Sequence, residues 1–549
     1  MRLEDLAPRP GDILLAGAEK IAPRSSPKPQ KPILNQVHFP VRIRRYDAAV
    51  PSNTTADWQA WATSANYEIY TAWRRTCYLA RDLERNNPHA KAFLRELCSN
   101  VLGATGIQIR PKMRMLRGGE LNDPLNSNIK KAWLDWRRRG NFDVSGLISG
   151  YKADKLILRT LARDGEVIIR LIRGYPNKYR LAIQILEADV LDLWYNALLD
   201  PNTGRRVTMG VEVDRWGKPL NYHLLKYNQQ DLFATNTTMK RMTVPANEII
   251  HIFVHERPTQ CRGITWFTPV ETKLRMLERY EEATAIAMRI SAAKMGFLTQ
   301  EKDAQQYDGQ GQLPTGELLE EVAPGEVIKL PPGMNFESFD PTNPSENYSA
   351  FRKSSLRSIS SGLGIMYNNL ANDLESTNYS SSRYGRSIEI ETWRDLQRFL
   401  AEDYLQMIFD PFIDQATLTE AIPGVNQENA DTVKTSVLWK PRGWAYVDPD
   451  KDGKSAANGI DMGLTTRRIE LEEQGLDIDE VYEELAEDKK RQAKYGLTFV
   501  NAWSRQPEVQ STEEDPNAPG AEVVAPAGGN GSAKKNGTGK STAATPNRK

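Results

Sequence analysis

Apolar side chains recur along this chain at two periods, and the switch between them divides it into regions. Tyr348, Phe351, Leu356, Ile359 and Leu363 return at steps of three to five, as do Ile388, Trp393, Leu396, Phe399 and Leu400, so each set predicts an amphipathic helix. Between the two lies the polar run YNNLANDLESTNYSSSR, residues 367–383, which is expected to be a loop that serves something outside the core. Nearer the start, a helical region from Asp57 carries Trp58, Trp61 and Trp73. It continues beyond Asn87-Pro88 with His89, Phe93, Leu94 and Leu97, until Gly103 and Gly106 end it. A further helix places Trp133 and Trp136 on one side with Gly140 as its stop, and another helical segment follows Ser145.

From Glu166 to about Val254 the period becomes two. EVIIRLIR, YRLAIQILE, VTMGVEVDRWGKPLNYHLL and EIIHIFV are rich in Val, Ile and Tyr, and Trp216-Gly217-Lys218-Pro219 makes a hairpin turn, so a compact β-containing domain is expected. A long amphipathic helix follows over 268–294, with Pro269 near its first turn and Gly296 past its end. Residues 299–345 are short pieces punctuated by Gly and Pro, with one strand over 326–330. Beyond Pro423-Gly424 the last folded unit is helical, and 472–496 is strongly charged, as a solvated helix face is. Residues 1–55, centred on PRSSPKPQKP, and the low-complexity tail from about Gln506 lack the apolar content to offset the entropy of ordering.

With 549 residues and 40% hydrophobic content, the chain has material for two to four domains. Its 72 Lys and Arg against 71 Asp and Glu leave a formal charge of +1, which excludes a whole-surface nucleic-acid clamp and is equally expected of any soluble enzyme. Cys77, Cys98 and Cys261 are isolated thiols without CxxC spacing, which points to a reducing compartment rather than a disulfide framework or structural zinc. Neither a signal peptide nor a membrane-spanning run is read.

Motifs with chemical potential resolve into plain ones. His251 and His255 are four apart, but IIHIFV reads as a strand and HExxH is absent, so no metal is expected. DPDKDG at 448–453 imitates the opening of a calcium loop, yet Gly459 stands where the bidentate Glu is required, and a turn with a helix N-cap is expected. GTGKST near the end has Lys534 where a phosphate-binding loop needs Gly. No catalytic constellation is recognised, and no cofactor is expected.

The residues 362–383, GLGI, Tyr367, Asp373 and the NYSSSR run, resemble a signature of the lambda-type family of bacteriophage portal proteins. The resemblance extends in the family's order from roughly Arg81 to Leu497, through RNNPHAKAFLRELCSNVLGATGIQIRP, LARDGEVIIRL, IIHIFVHERPTQCRGITWFTPV, APGEVIKLPPG and VDPDKDGKSAANGIDMGL. It implies an α+β portal fold with wing, stem, clip and crown regions that closes into a ring of twelve copies. Laid on this chain, it implies an arm over 1–55, an N-terminal wing over 56–262, and a stem helix with a clip-like module over 263–345. A second wing segment with a tunnel loop then takes 346–435, a helical crown 436–505, and a disordered tail 506–549.

The function so implied is a non-enzymatic channel at one capsid vertex for genome packaging and ejection. Its partners would be further copies of itself, double-stranded DNA, the terminase large subunit, the major capsid or scaffold protein, and head-completion and tail proteins, with no membrane. The protein would be a virion component assembled in the bacterial host cytoplasm. Asn378, Tyr379, Ser380, Arg383 and Arg386 are the expected DNA-channel residues, offering uncharged hydrogen-bond donors and modest positive charge to phosphates. A DNA-processing enzyme and a monomeric head-assembly adaptor are the alternatives.

Overall fold

The computed structural model describes residues 63–115, 119–200, 203–226, 240–292, 296–300, 334–338, 345–375, 378–446 and 448–497. The basic arm over 1–55, Trp58 and Trp61, the strand over 326–330 and the tail over 506–549 lie outside the described residues. The chain divides into two units, Met1–Glu68 and Ile69–Lys549. In the first, Ser64 opens helix α1 (Ala65–Asn86): its carbonyl and hydroxyl accept from the Tyr67 amide at 3.0 and 3.3 Å.

All that follows belongs to the second unit. Helix α2 (Pro88–Val101) starts where Asn87-Pro88 dictates, the Asn87 side chain accepting from the His89 and Ala90 amides at 3.0 and 3.1 Å. It buries Phe93, Leu94, Leu97 and Val101 on one face. Strand β1 (Gln108–Pro111) leads to α3 (Asp123–Trp136), whose Trp133 and Trp136 are the largest side chains sealed in the core. Trp136 stacks on Phe412 at 4.8 Å and donates its indole N–H to the Leu181 carbonyl at 2.8 Å, so its polar edge is satisfied as burial demands.

Helix α4 (Gly150–Asp164) ends at Gly165, φ +86°, and there strand β2 (Glu166–Arg173) begins. A Cβ on Gly165 would overlap the carbonyl of Ile264, so this left-handed turn also permits two backbones to touch. β2 is the centre of a three-stranded antiparallel sheet, ordered β3 (Leu181–Leu186), β2, β8 (Ile249–Phe253), with Glu166 opposite Phe253 and Arg173 opposite Leu181. Four strands, β4 (Arg206–Thr208), β5 (Val211–Val213), β6 (Pro219–Leu225) and β7 (Arg241–Pro245), form an antiparallel meander. The hairpin expected at Trp216-Gly217-Lys218-Pro219 joins β5 to β6, closed by the Asp214 amide donating to the Lys218 carbonyl at 2.9 Å.

A buried ionic knot fastens β2 to β8 and to the segment after it. Glu166 and Arg262 are both sealed from solvent; the Arg262 Nε lies 2.8 Å from Glu166 Oε1, His251 Nε2 2.9 Å from Glu166 Oε2, and the Gly263 amide 3.0 Å from that same oxygen. Burial alone would raise the Glu166 carboxyl, but Arg262 and His251 outweigh it and hold the group at about 2. The Arg262 guanidinium also lies 4.6 Å from the Trp73 ring and donates to the Ala188 carbonyl at 3.0 Å. His251 is thus a strand residue in an ion cluster.

Helix α5 (Glu271–Ala292) and helix α6 (Ser345–Leu363) run antiparallel, as paired contacts show: Lys273 with Ser358 at 2.6 Å, Glu281 with Arg352 at 2.8 Å, and Tyr280 with Tyr348 at 6.0 Å between rings. Strands β9 (Gly296–Gln300) and β10 (Met334–Ser338), an antiparallel pair, continue from α5 and precede α6 in sequence. Helices α7 (Tyr367–Ala371) and α8 (Tyr379–Leu400) follow. The helical run then passes through a π turn (Ala401–Gln406) into α9 (Met407–Leu418), which returns Phe409 and Phe412 to Trp133.

After α10 (Ala430–Thr435), strand β11 (Val437–Lys440) pairs with β1, more than three hundred residues earlier in the chain. The last helices are α11 (Pro449–Asp461), α12 (Arg467–Glu473) and α13 (Ile478–Tyr495). Asp448 caps α11, accepting from the Lys451 amide at 3.3 Å, while Asp452 accepts from the Asp448 amide at 3.1 Å. The DPDKDG run is therefore the reciprocal helix cap expected of it.

Candidate functional site

The polar run between the two helices is shorter as a loop than its composition predicts. Tyr367–Ala371 is already helical, Asn372 turns left-handed at φ +52°, and Asn378 caps α8, accepting from the Ser380 amide at 3.4 Å. The predicted loop to Arg383 is thus corrected: Tyr379, Ser380, Arg383 and Arg386 stand on the first two turns of α8. Asn, Ser and Tyr there reflect a capped helix end with solvent around it, which needs no apolar stripe.

Two carboxylates fix this segment. Glu389, buried on α8, accepts from the Met366 amide at 3.0 Å and from Asn369 Nδ2 at 2.6 Å, binding the N-cap and the middle of α7 to α8. Asp373 accepts from the Tyr367 hydroxyl at 2.7 Å, and that bond, with the Glu375 amide, holds its carboxyl below the usual range. Lys353 and Arg357 from α6 stand over the Tyr367 ring at 6.0 and 5.6 Å.

The five predicted residues are neighbours in sequence but not equivalent in setting. Arg383 is ion-paired with Asp452 in the first turn of α11, so its charge is committed to joining α8 to the C-terminal helices. Arg386 is exposed and makes no ion pair among the described residues. Its charge, after the effect of burial, lowers the affinity of the neighbouring Arg442 guanidinium for its proton, which places two like charges near one another. Asn378 and Ser380 are exposed. Sequence reasoning missed Glu389 and Arg442, and placed Asp452 only in the DPDKDG cap; Trp393 four residues on marks the face of α8 that Glu389 shares, and nothing local marks Arg442.

The C-terminal helices are held differently from the rest. No residue within α11, α12 or α13 is buried. Their ties to the body are polar: Arg110 with Asp477 and Asp479, Glu480 with Lys130 at 2.6 Å and Lys440 at 3.2 Å, the Tyr446 hydroxyl donating to Glu470 at 3.0 Å, and the Trp444 amide donating to the Glu473 carbonyl at 3.4 Å. Meanwhile Met462, Leu464, Leu485 and Tyr495 stay at least half exposed.

Residues 52–397 match the family model for phage portal proteins of the lambda family. This chain belongs to that family, a structural and non-enzymatic one. It is 32% identical over 517 residues to a probable portal protein of Halomonas phage phiHAP-1, an alignment covering 92% of this chain and 98% of that one. It is 22% identical over 347 residues to portal protein B of Escherichia phage lambda, covering 57% and 65% respectively. A chain from the neck of a native gene transfer agent particle aligns with a TM-score of 0.40 and 12% identity, over 73% of this chain and 94% of that chain. Among the described residues, no helix is long and apolar enough to cross a membrane.

Proposed function

We propose that this protein forms a dodecameric ring at one capsid vertex, the channel through which the genome is packaged and later ejected. The ring docks the terminase motor during loading, and head-completion and tail proteins afterwards. In this reading residues 56–262 are the wing, 263–345 the stem and clip, 346–435 a second wing segment, and 436–505 the crown. The antiparallel pair of α5 and α6 suits a stem, since both helices are long and are joined through side chains along their lengths.

One observation carries the oligomeric reading: α11, α12 and α13 are amphipathic, yet no residue in them is buried. The Arg110–Asp477 pair is largely buried, but exposed pairs such as Lys130–Glu480 contribute only about 0–1 kcal/mol each, so the three helices have little beyond polar ties to hold them in place. Head-to-tail contacts around a closed axis would cover Met462, Leu464, Leu485 and Tyr495. Light scattering and negative-stain microscopy test this: a mass near twelve times 62.0 kDa with an open centre is expected, and solitary particles at every concentration refute it.

For the channel, the turn over 372–378 and the first turns of α8 supply Asn378, Tyr379, Ser380 and Arg386, with Arg383 as the tie to α11. Replacing Asn378, Tyr379 and Arg386 with alanine spares that tie. The triple variant should assemble normally and package poorly; normal packaging removes the assignment.

A further inference from the structure

The sheet ordered β3, β2, β8 is open at β8. Among the described residues β8 pairs with β2 alone, so every second residue of Ile249–Phe253 turns its N–H and C=O away from the ladder. Uncovered edges of this kind are templates for a further strand. Along this edge runs a cavity of about 670 Å³ whose lining includes Leu220 and Tyr222, Ile250 and Ile252 of β8, and Asp403 and Met407. A five-residue strand between two packed layers fills about 17 by 4.8 by 10 Å, roughly 800 Å³, the same order as this space. The titratable groups of this lining are Lys218, His251, His255 and Asp403, and Asp403, which follows Glu402, brings its acidic charge. Burial and then Glu402 raise the Asp403 carboxyl against a smaller opposing effect of His255.

The arm contains a segment with the matching pattern. Val37, Phe39, Val41 and Ile43 alternate with His38, Pro40, Arg42 and Arg44, which as a strand would put four apolar side chains on one face and two arginines on the other. Pro40 obeys the same parity. In a strand whose odd-numbered residues offer their amides to β8, the missing N–H of Pro40 faces outward, where it blocks further strand addition. Residues 37–44 lie outside the described residues, and the chain over 45–62 reaches at most about 60 Å when extended, far enough to leave its own subunit.

We propose that residues 37–44 of one copy add as an outer strand to β8 of a neighbouring copy, apolar face on Leu220 and Tyr222 and Arg42 or Arg44 at Asp403. This rests on the ring reading, since a strand passed to a neighbour is a head-to-tail contact. The test uses the full chain with Arg42→Cys and Met407→Cys, its mass first measured by light scattering, then mildly oxidised and run without reductant. A ladder of cross-linked chains is expected, reduced at least tenfold by adding Phe39→Asp and Val41→Asp. In the doubly charged variant without the new cysteines, amides of 249–253 should exchange at least tenfold faster than in the parent protein. A ring mass without inter-chain cross-links, or with closure only inside single chains, overturns the strand exchange alone. Absence of a ring mass overturns both readings.

Discussion

Glu271 offers a test of burial energetics at the point where α5 leaves the body. It is the first residue of α5, only 8% exposed, and its Oε1 has no hydrogen-bond partner among the described residues. The helix start does not rescue it, because the Glu271 and Leu274 amides already donate to the Phe267 and Val270 carbonyls, each at 2.9 Å. Burial therefore raises its carboxyl from 4.5 to about 7. A folded value above the unfolded one means the native state binds the extra proton, so stability is greatest at low pH and falls as pH rises from 4.5 through 7. Two and a half pH units correspond to about 3 kcal/mol lost once the group is ionised in both states.

Glu271→Gln removes the charge while keeping the shape. The variant should match the parent at pH 3.5, exceed it by about 1.4 kcal/mol at pH 5.5 and by about 3 kcal/mol at pH 8.5. Hydrogen exchange of peptides spanning 267–277 reads this locally: about 100-fold slower exchange in the variant at pH 8.5, if the segment opens by local unfolding, and a ratio near one at pH 3.5. The same ratio at both values, or a parent more protected at pH 8.5, refutes the claim that an unpartnered buried carboxylate sets stability here.

Two further outcomes follow from the ionic knot and the glycine beside it. Arg262→Met or Glu166→Met alone leaves a buried charge uncompensated and should cost about 3–5 kcal/mol, whereas the double variant should cost less than either, measured by thermal melting in a double-mutant cycle. Additive losses would show that the pair acts through packing instead. Gly165→Ala should lower the melting temperature sharply, because the new Cβ meets the Ile264 carbonyl and φ +86° disfavours alanine; a melt unchanged within about 1 °C would contradict the close approach of the two backbones.

Local patterns reported local structure faithfully. The span EVIIRLIR became β2 without a shift, Asn87-Pro88 marked the start of α2, and the turn at Trp216-Gly217 joins two strands, because alternation, cap and turn chemistry act within a few residues. What escaped notice is non-local or depends on packing. β1 pairs with β11 across more than three hundred residues, and neither strand carries a mark of its partner. The π turn at 401–406 also has no composition of its own, lying between helices that share one hydrophobic pattern.

The polar run at 367–383 shows why a functional segment can be located by sequence yet misdrawn. Polarity suggests a loop, but a helix exposed around its first turns needs caps rather than apolar residues, and Asn378 with Ser380 supplies that chemistry. The apolar anchor appears only later, at Trp393 and Leu400, once α8 enters the core. Between the two, Glu389 holds α7 from inside and Arg383 holds α11 from outside, so the shape of the short turn over 372–378 is set by carboxylates distant from it in sequence. This makes Arg383 and Arg386, three residues apart and chemically identical, separable in function. Loss of the first should loosen the junction with the C-terminal helices, and loss of the second should remove only a charge.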